Sequence, residues 1–216
     1  MVACDVSSKY TRRGVSEYEK MAEYIYELAA GKQGNYMVFF PSYRMLEDIY
    51  EIFRNKTEER QFEVSCILQS SNMTEQEREE FLEAFQENSA KTLIGFCVMG
   101  GIFSEGIDLT GERLIGAAIV GTGLPQVGCE REILKNYYDE KAQNGFAYAY
   151  RYPGMNKVLQ AAGRVIRTKE DRGVVLLLDE RFLQREYLEL FPQEWQSYER
   201  CTVGNAGQKI RAFWDS

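Results

Sequence analysis

The chain has 216 residues, 44% of them hydrophobic, and a formal net charge of −7 at pH 7. A chain of this size can bury a full core, and we predict a single domain over residues 1–216. The acidic balance excludes a surface that binds nucleic acid over its whole area, so any such binding must be local. The sequence has no histidine, which excludes serine–histidine and cysteine–histidine hydrolases.

Cysteine usage and the N-terminal sequence predict the compartment. The five cysteines have no Cys-x-x-Cys spacing and several lie in predicted strands, so we expect small buried side chains in a reducing compartment and no metal cluster. No apolar run has membrane length, and no basic segment precedes an apolar one at the N-terminus. We therefore expect a cytoplasmic protein with no membrane partner.

In chain order, a polar, basic segment at 7–13 predicts no element. A helix follows, and the capping box Ser16-x-x-Glu19 predicts its start. A second capping box, Thr74-x-x-Glu77, opens a charged helix. Hydrophobic patterns predict strands at 35–40, 62–68, 92–98, 114–120 and 173–179, and helices at 16–31, 42–54, from 74, from about 130 and at 152–167.

This alternation of strands and helices predicts an α/β fold of βαβ units, with three layers: a mainly parallel sheet and helices on both of its faces. In such sheets ligands bind beyond the carboxyl ends of the strands. Three segments leave strand ends at this edge: Phe39–Tyr43, Gly100–Asp108 and the glycine-rich loop 121–128. The tail from Pro192 onward predicts no element.

The predicted helix 152–167 has a polar stripe as well as an apolar face. Steps of three and four residues place on the apolar face Met155, Leu159, Ala162 and Ile166. The same steps place on the polar stripe, beside Gly163, the side chains of Asn156, Gln160, Arg164 and Arg167. Two guanidinium groups beside a glycine indicate a phosphate site, because they offer forked donors and room for a ligand. Spacing alone also allows a solvated face with salt bridges, but the buried strand that follows favours a cleft.

The glycine-rich turn after the third predicted strand has two interpretations. Gly100, Gly101 and Gly106 could form a tight strand-to-helix turn and nothing more. In the functional interpretation, backbone N–H groups and the Ser104 hydroxyl bind phosphate, while Asp108 binds a ribose hydroxyl or a metal-bound water.

The pair Ser42-Tyr43 after Pro41 also leaves two alternatives open. Tyr43 could be an aromatic residue at the start of a helix. A Ser-Tyr pair at a strand end can instead hold a backbone phosphate and stack a base.

Three of these segments resemble motifs of the DinG/XPD family, the Rad3-related DNA helicases of superfamily two. Phe39–Tyr43 resembles motif IV, Gly100–Asp108 resembles motif V, and Gln160–Arg167 resembles motif VI. The resemblance extends from about residue 6 to 191. It implies the second RecA-like motor domain, of P-loop NTPase-type fold, in an ATP-dependent helicase that translocates on single-stranded DNA and unwinds duplexes in DNA repair or replication.

The resemblance also implies roles for particular residues. Arg164 and Arg167 would be arginine fingers that reach the ATP γ-phosphate, and Gln160 would couple nucleotide state to domain closure. The implied nucleotide-binding residues are Gly106, Asp108, Gln160, Arg164 and Arg167. The implied nucleic-acid-binding residues are Ser42, Tyr43, Gly101, Phe103 and Ser104.

The sequence also departs from the family. It contains no Gly-x-x-x-x-Gly-Lys-Ser/Thr, no Walker B Asp-Glu-Ala-His and no four-cysteine cluster. We therefore expect the C-terminal half of a helicase, inactive as an ATPase when alone. ATP and Mg²⁺ would be held mainly by the missing first domain, which would also carry any iron–sulfur cluster.

The expected partners are single-stranded or forked DNA and the first motor domain in cis, with the protein as a monomer. The sequence also allows two other classes of protein. An ATP-independent single-stranded nucleic-acid-binding module would not need the motif VI arginines. A Rossmann-type dinucleotide enzyme is disfavoured because no Gly-x-Gly-x-x-Gly follows the first strand.

Overall fold

The computed structural model describes residues 1–87, 89–103, 109, 111–166 and 171–216. Within these ranges seven strands form one sheet: β1 (Val2–Ala3), β2 (Asn35–Phe40), β3 (Val64–Leu68), β4 (Thr92–Val98), β5 (Gly116–Val120), β6 (Val174–Leu178) and β7 (Arg200–Cys201). The strand order is β3-β4-β2-β5-β6-β1-β7, and the described pairings are parallel. The predicted α/β class with a mainly parallel sheet is confirmed.

Helices connect the strands. The α-helices of the described ranges are α1 (Val15–Gly31), α2 (Tyr43–Glu59), α3 (Glu75–Glu83), α4 (Cys129–Glu140), α5 (Tyr152–Ala162), α6 (Arg185–Leu188) and α7 (Ala206–Asp215). A π-helix, Ala147–Arg151, leads directly into α5. Short 3₁₀ turns include Tyr10–Arg12 and Glu180–Leu183.

The sheet separates two hydrophobic layers, because successive side chains of a strand point to opposite faces. Along β2, Tyr36, Val38 and Phe40 pack on the side of α1, α2 and α7. Met37 and Phe39 pack on the other side, with α3 and α5. All six residues of β2 are buried, as the position of this strand in the middle of the sheet requires.

The predicted strands agree closely with the structure. The boundaries of 35–40 and 92–98 are confirmed at both ends. The other predicted strands begin one or two residues later than expected, at Val64, Gly116 and Val174. The helix predicted at 42–54 extends to Glu59.

The two predicted capping boxes have opposite outcomes. The Thr74 box is confirmed: the Thr74 side chain accepts from the backbone N–H of Glu77, and the Glu77 carboxylate accepts from that of Thr74. The Ser16 box is wrong, because α1 begins at Val15 with Gly14 at its N-cap and no side-chain cap. Ser16 therefore lies inside the first turn, where its hydroxyl cannot cap the helix.

The tail beyond Pro192, which no pattern assigned, supplies β7 and α7. Cys97 and Cys201 are buried as expected, but Cys129 is exposed at the start of α4, which corrects the expectation of a buried thiol there. Among the helices of the described ranges, none combines the length and apolar character that a membrane crossing needs.

Candidate functional site

The segment predicted as motif IV meets the described part of motif V, residues 100–103, at one edge of the sheet. β2 and β4 are parallel neighbours with Phe40 opposite Val98, so their carboxyl ends coincide. Ser42 begins the chain into α2, and its hydroxyl accepts a hydrogen bond from the Met45 backbone N–H at 3.3 Å. This cap fixes the first turn of α2, which carries Tyr43.

Gln69, a residue that the sequence did not single out, joins the two segments. It lies one residue after β3 and is 5% exposed. Its Oε1 accepts from the Val98 N–H at 2.9 Å, and its Nε2 donates to the Tyr43 hydroxyl at 3.1 Å. In the sequence, the only indication of this role was that Gln69 directly follows the predicted strand 62–68, which ends at the same edge of the sheet as β2 and β4.

These contacts orient the Tyr43 ring. The Tyr43 hydroxyl accepts from Gln69 and donates to the Ser70 carbonyl at 3.3 Å, so both of its hydrogen-bonding functions face the protein. Tyr43 remains partly exposed. A ligand would therefore contact the Tyr43 ring rather than its hydroxyl.

The glycine turn after β4 packs against its neighbours at close range. Gly100 has a φ of +71°, in the left-handed region, and a Cβ there would lie 3.1 Å from Cε of Lys157 on α5. A Cβ on Gly101 would lie 2.9 Å from Nε2 of Gln69. The turn thus connects the Tyr43 region to α5; Gly100 is favoured by its positive φ and Gly101 by its close neighbours.

Phe103 does not lie at the surface. It is 1% exposed and stacks on Phe81 of α3, with ring centroids 4.1 Å apart. Because its ring belongs to the core, its position does not support the predicted contact with nucleic acid. Ser104, Gly106 and Asp108 lie outside the described residues, and their roles stay predictions.

The helix predicted at 152–167 is shorter than expected. α5 ends at Ala162, and the last turn tightens: Arg164 N–H bonds to the Ala161 carbonyl and Val165 N–H to the Ala162 carbonyl, at 3.3 and 3.1 Å. These are bonds to the third preceding residue, as in a 3₁₀ turn. The set of residues that faces the core therefore differs from the predicted apolar face.

The buried hydrophobic residues of this segment are Met155, Val158, Ala161, Ala162 and Val165. Ile166 is 47% exposed, so this member of the predicted apolar face is wrong. Leu159 is partly buried and packs against the core, as predicted. Asn156, Gln160 and Gly163 are exposed as the stripe required, and Arg164 is half-buried. Arg167 lies outside the described residues.

Close backbone contact positions the start of α5. Gly123 follows β5 with a φ of +67°, and a Cβ there would lie 2.5 Å from the Gly154 carbonyl oxygen. The end of this segment lies at the opposite edge of the sheet. Val165 packs against Gly173, the residue before β6, and Gly173 lies against Ile115, the residue before β5. Arg164 is therefore at a different end of the domain from Tyr43 and Gly101.

A third group of polar side chains follows β6, and its members form hydrogen bonds with one another. Asp179 is 0% exposed; its Oδ2 accepts from the N–H and hydroxyl of Ser8 at 2.8 and 2.7 Å. The Arg181 guanidinium donates to both carboxylate oxygens at 2.8 Å. Burial raises the pKa of the Asp179 carboxyl, but the hydrogen bonds and charge of Arg181, with Ser8, outweigh it and hold that pKa below its ordinary value.

The fold and these edge segments define a class of protein, the RecA-like helicase domain. The XPD_APO structure matches with a TM-score of 0.74 at 21% identity, over 93% of this chain and 39% of that one. Domain 2 of the DEAD-box helicase Mss116p, bound to an RNA duplex, matches with a TM-score of 0.52 at 13% identity, over 97% of this chain and 68% of that one. At these identities the likeness shows the fold alone.

The chain belongs to the helicase C-terminal domain family, whose model matches residues 25–198. It is 34% identical over 161 residues to regulator of telomere elongation helicase 1 of Bos taurus, over 68% of this chain and 13% of that protein. It is 26% identical over 190 residues to ATP-dependent DNA helicase XPD of Sulfolobus acidocaldarius, over 84% of this chain and 31% of that protein. The Rad3-related, XPD-like family predicted from the three motifs is confirmed. The chain spans less than a third of the length of these curated relatives.

Proposed function

We propose that this chain is the second motor domain of an ATP-dependent DNA helicase, coupling ATP hydrolysis to translocation on single-stranded DNA and duplex unwinding. The observation that carries the proposal is the exposed Gln160 and half-buried Arg164 at the end of α5, in a domain of the helicase C-terminal family. The ATP-dependent relatives support the use of ATP. A first motor domain in cis would complete the ATP site.

In this proposal the ATP phosphates and Mg²⁺ are held mainly by the first motor domain. Arg164 and Arg167 approach the γ-phosphate from this domain and stabilise the charge of the transferring phosphoryl group. A planar guanidinium suits this role because it can donate two hydrogen bonds to one phosphate. Gln160, one turn before Arg164, would couple the nucleotide to closure of the two domains.

Single-stranded DNA would bind at the other end of the domain, along the edge of Ser42, Tyr43 and Gly101, with Ser104 as a further predicted contact. The Tyr43 ring would stack on a base, since its hydroxyl is already bonded to Gln69 and Ser70. Closure of the two motor domains over the nucleotide would then move this edge along the strand.

Further properties stay predictions. These are action in DNA repair or replication, forked DNA as a substrate, a monomeric state, a cytoplasmic location and an iron–sulfur cluster carried, if present, by the first domain. The proposal of one domain over residues 1–216 belongs with them.

The test compares the chain alone with the chain joined to a first motor domain that carries a P-loop. We expect DNA-stimulated ATP hydrolysis only in the joined protein, and loss of that turnover when the P-loop lysine is replaced. Sustained DNA-stimulated turnover by the folded chain alone would contradict the half-site interpretation. If the joined protein binds single-stranded DNA and never hydrolyses ATP, the ATP-independent binding module is correct instead.

A further inference from the structure

The basic segment that predicted no element forms an ordered turn between β1 and α1. Its Tyr10 side chain is 84% exposed, on the 3₁₀ turn Tyr10–Arg12. The Arg13 guanidinium lies 5.6 Å from the centroid of the Tyr10 ring, and its Nε donates to the Ser8 carbonyl at 3.2 Å. The turn therefore presents an aromatic ring and a positive charge together.

Ion pairs hold this turn in place. Arg12 pairs with Glu17 of α1 at 2.5 Å and with Glu180, just after β6, at 3.0 Å. Lys9 also pairs with Glu180, at 3.4 Å. Because the turn is tied both to α1 and to the segment after β6, the exposure of Tyr10 is a property of the fold.

A groove separates the turn from the start of α2. It has a volume of about 400 Å³, with Tyr10 and Arg13 on one side and Ser42 and Arg44 on the other. Ser42 belongs to the edge proposed to bind DNA. The groove therefore continues that edge toward the N-terminal turn.

The charge of the groove is positive on balance. Its charged side chains are those of Arg13, Arg44 and Asp48. All three act on the Tyr18 phenol: burial raises the Tyr18 pKa, the two arginines oppose that rise and Asp48 adds to it. Two guanidinium groups against one carboxylate favour an anion.

We infer that this groove is a second contact for single-stranded nucleic acid, in which Tyr10 stacks on a base and Arg13 and Arg44 contact phosphates. The inference rests on the proposed function, since it extends the strand path from Ser42. Alternating bases and phosphates match an exposed ring flanked by two guanidinium groups, and stacking tolerates any base. A protein segment would be expected to bury a broad apolar surface, whereas Tyr10 projects alone beside charged groups.

The experiment measures binding of a fluorescein-labelled oligothymidylate of about 12 nucleotides to the 216-residue chain by anisotropy. The groove variants are Tyr10→Ala, Tyr10→Phe and Arg44→Ala. Matched controls are Tyr137→Ala, an exposed tyrosine on α4, and Arg54→Ala, an exposed arginine further along α2. Tyr43→Ala reports on the proposed DNA edge by itself.

We expect Tyr10→Ala to weaken binding by roughly 5- to 150-fold and Tyr10→Phe to keep it, because stacking needs the ring and not the hydroxyl. Arg44→Ala should make the negative slope of log K against log salt shallower by about 0.7, the value for one lost phosphate contact on a single strand. Thermal unfolding midpoints should match the wild type, because the replaced side chains are exposed.

Two results would overturn the inference in distinguishable ways. If Tyr10→Ala and Arg44→Ala bind like their controls while Tyr43→Ala weakens binding, the groove is not a contact and the proposed function stands. If the wild-type chain does not bind the oligonucleotide at any salt concentration, both proposals fail.

Discussion

The Asp179 cluster and the end of α5 use charged side chains in opposite ways. In the cluster, Asp179 is 0% exposed and its two oxygens accept hydrogen bonds from Ser8 and Arg181. At the end of α5, Gln160 is exposed and Arg164 is half-buried, at the other edge of the sheet. Both regions combine arginine with polar neighbours in sequence. Whether such a polar group stabilises the fold or can contact a ligand therefore depends on how it packs and not on its residue type.

This comparison predicts that replacements in one region reduce stability and replacements in the other reduce activity. A buried charge that loses its partner is left in a medium that solvates it poorly. Replacing a side chain that is not fully buried changes stability less, because water solvates the site in part. The predictions below test this division.

The largest effect is expected for Arg164→Ala in the protein joined to its first motor domain. DNA-stimulated ATP turnover should fall by a factor on the order of a thousand or more, while ATP binding weakens much less. Arg164→Lys should not restore turnover, because an ammonium group lacks the planar fork. Steady-state turnover at saturating DNA measures this, with Arg185→Ala, at an exposed pair with Glu189, as the control. Full turnover by a normally folded Arg164→Lys protein would remove the basis for the roles of Arg164 and Gln160.

Asp179→Asn tests the other side of the comparison. It leaves the Arg181 guanidinium, whose side chain is 15% exposed, beside a neutral amide. We expect the free energy of unfolding in urea to fall by about 3–5 kcal/mol. Glu189→Gln, in an exposed pair with Arg185, should change it by less than about 1 kcal/mol. Equal losses in the two variants would mean that burial does not distinguish the regions.

The same cluster predicts an acid limit to stability. The pKa of the Asp179 carboxyl is held below its ordinary value, so the folded protein binds this proton less readily than the unfolded chain. The contribution of Asp179 is therefore complete above the unfolded pKa of about 3.9 and is lost as pH falls through the lower folded value. Urea unfolding between about pH 7 and pH 2 should show the difference between the wild type and Asp179→Asn narrowing below about pH 4. A constant difference across this range would contradict the assignment.

Tyr43 is an intermediate case, since the buried Gln69 amide holds a ring that is partly exposed. Tyr43→Ala should weaken binding of single-stranded DNA by roughly 1–3 kcal/mol. Tyr43→Phe should keep that affinity and instead lower stability by about 1 kcal/mol, because Gln69 loses a hydrogen-bond partner. Titrations with labelled oligonucleotide and urea unfolding separate the two effects. If Tyr43→Phe loses as much affinity as Tyr43→Ala, the hydroxyl and not the ring face contacts the DNA.

The smallest expected effect concerns the two capping boxes. Thr74→Ala removes a hydroxyl that caps α3 and should lower the free energy of unfolding by about 1 kcal/mol. Ser16→Ala is the matched control, because Ser16 lies within the first turn of α1, and it should change stability by less than about 0.5 kcal/mol. A larger loss for Ser16→Ala would show that the hydroxyl stabilises α1 after all.

The predictions from sequence were most accurate where local pattern and tertiary burial agree. The aromatic and β-branched residues of 35–40, followed by Pro41, predicted a strand, and its boundaries are confirmed. Prediction was poorer where position depends on contacts distant in sequence. Gln69 joins Tyr43 to Val98, and Phe103 stacks on Phe81, through pairings that no local pattern records.

The sequence by itself determined the parallel α/β class, the positions of the main strands and the helicase family, because these depend on hydrophobic periodicity and on short motifs that survive in the linear chain. Only the tertiary structure decided which charged side chains are buried in hydrogen bonds and which are exposed. It placed Asp179 against Ser8, 171 residues away, and ended α5 at Ala162, where the chain tightens and packs toward Gly173. Burial and hydrogen bonding are properties of such distant pairs, and they are defined only after the chain has folded.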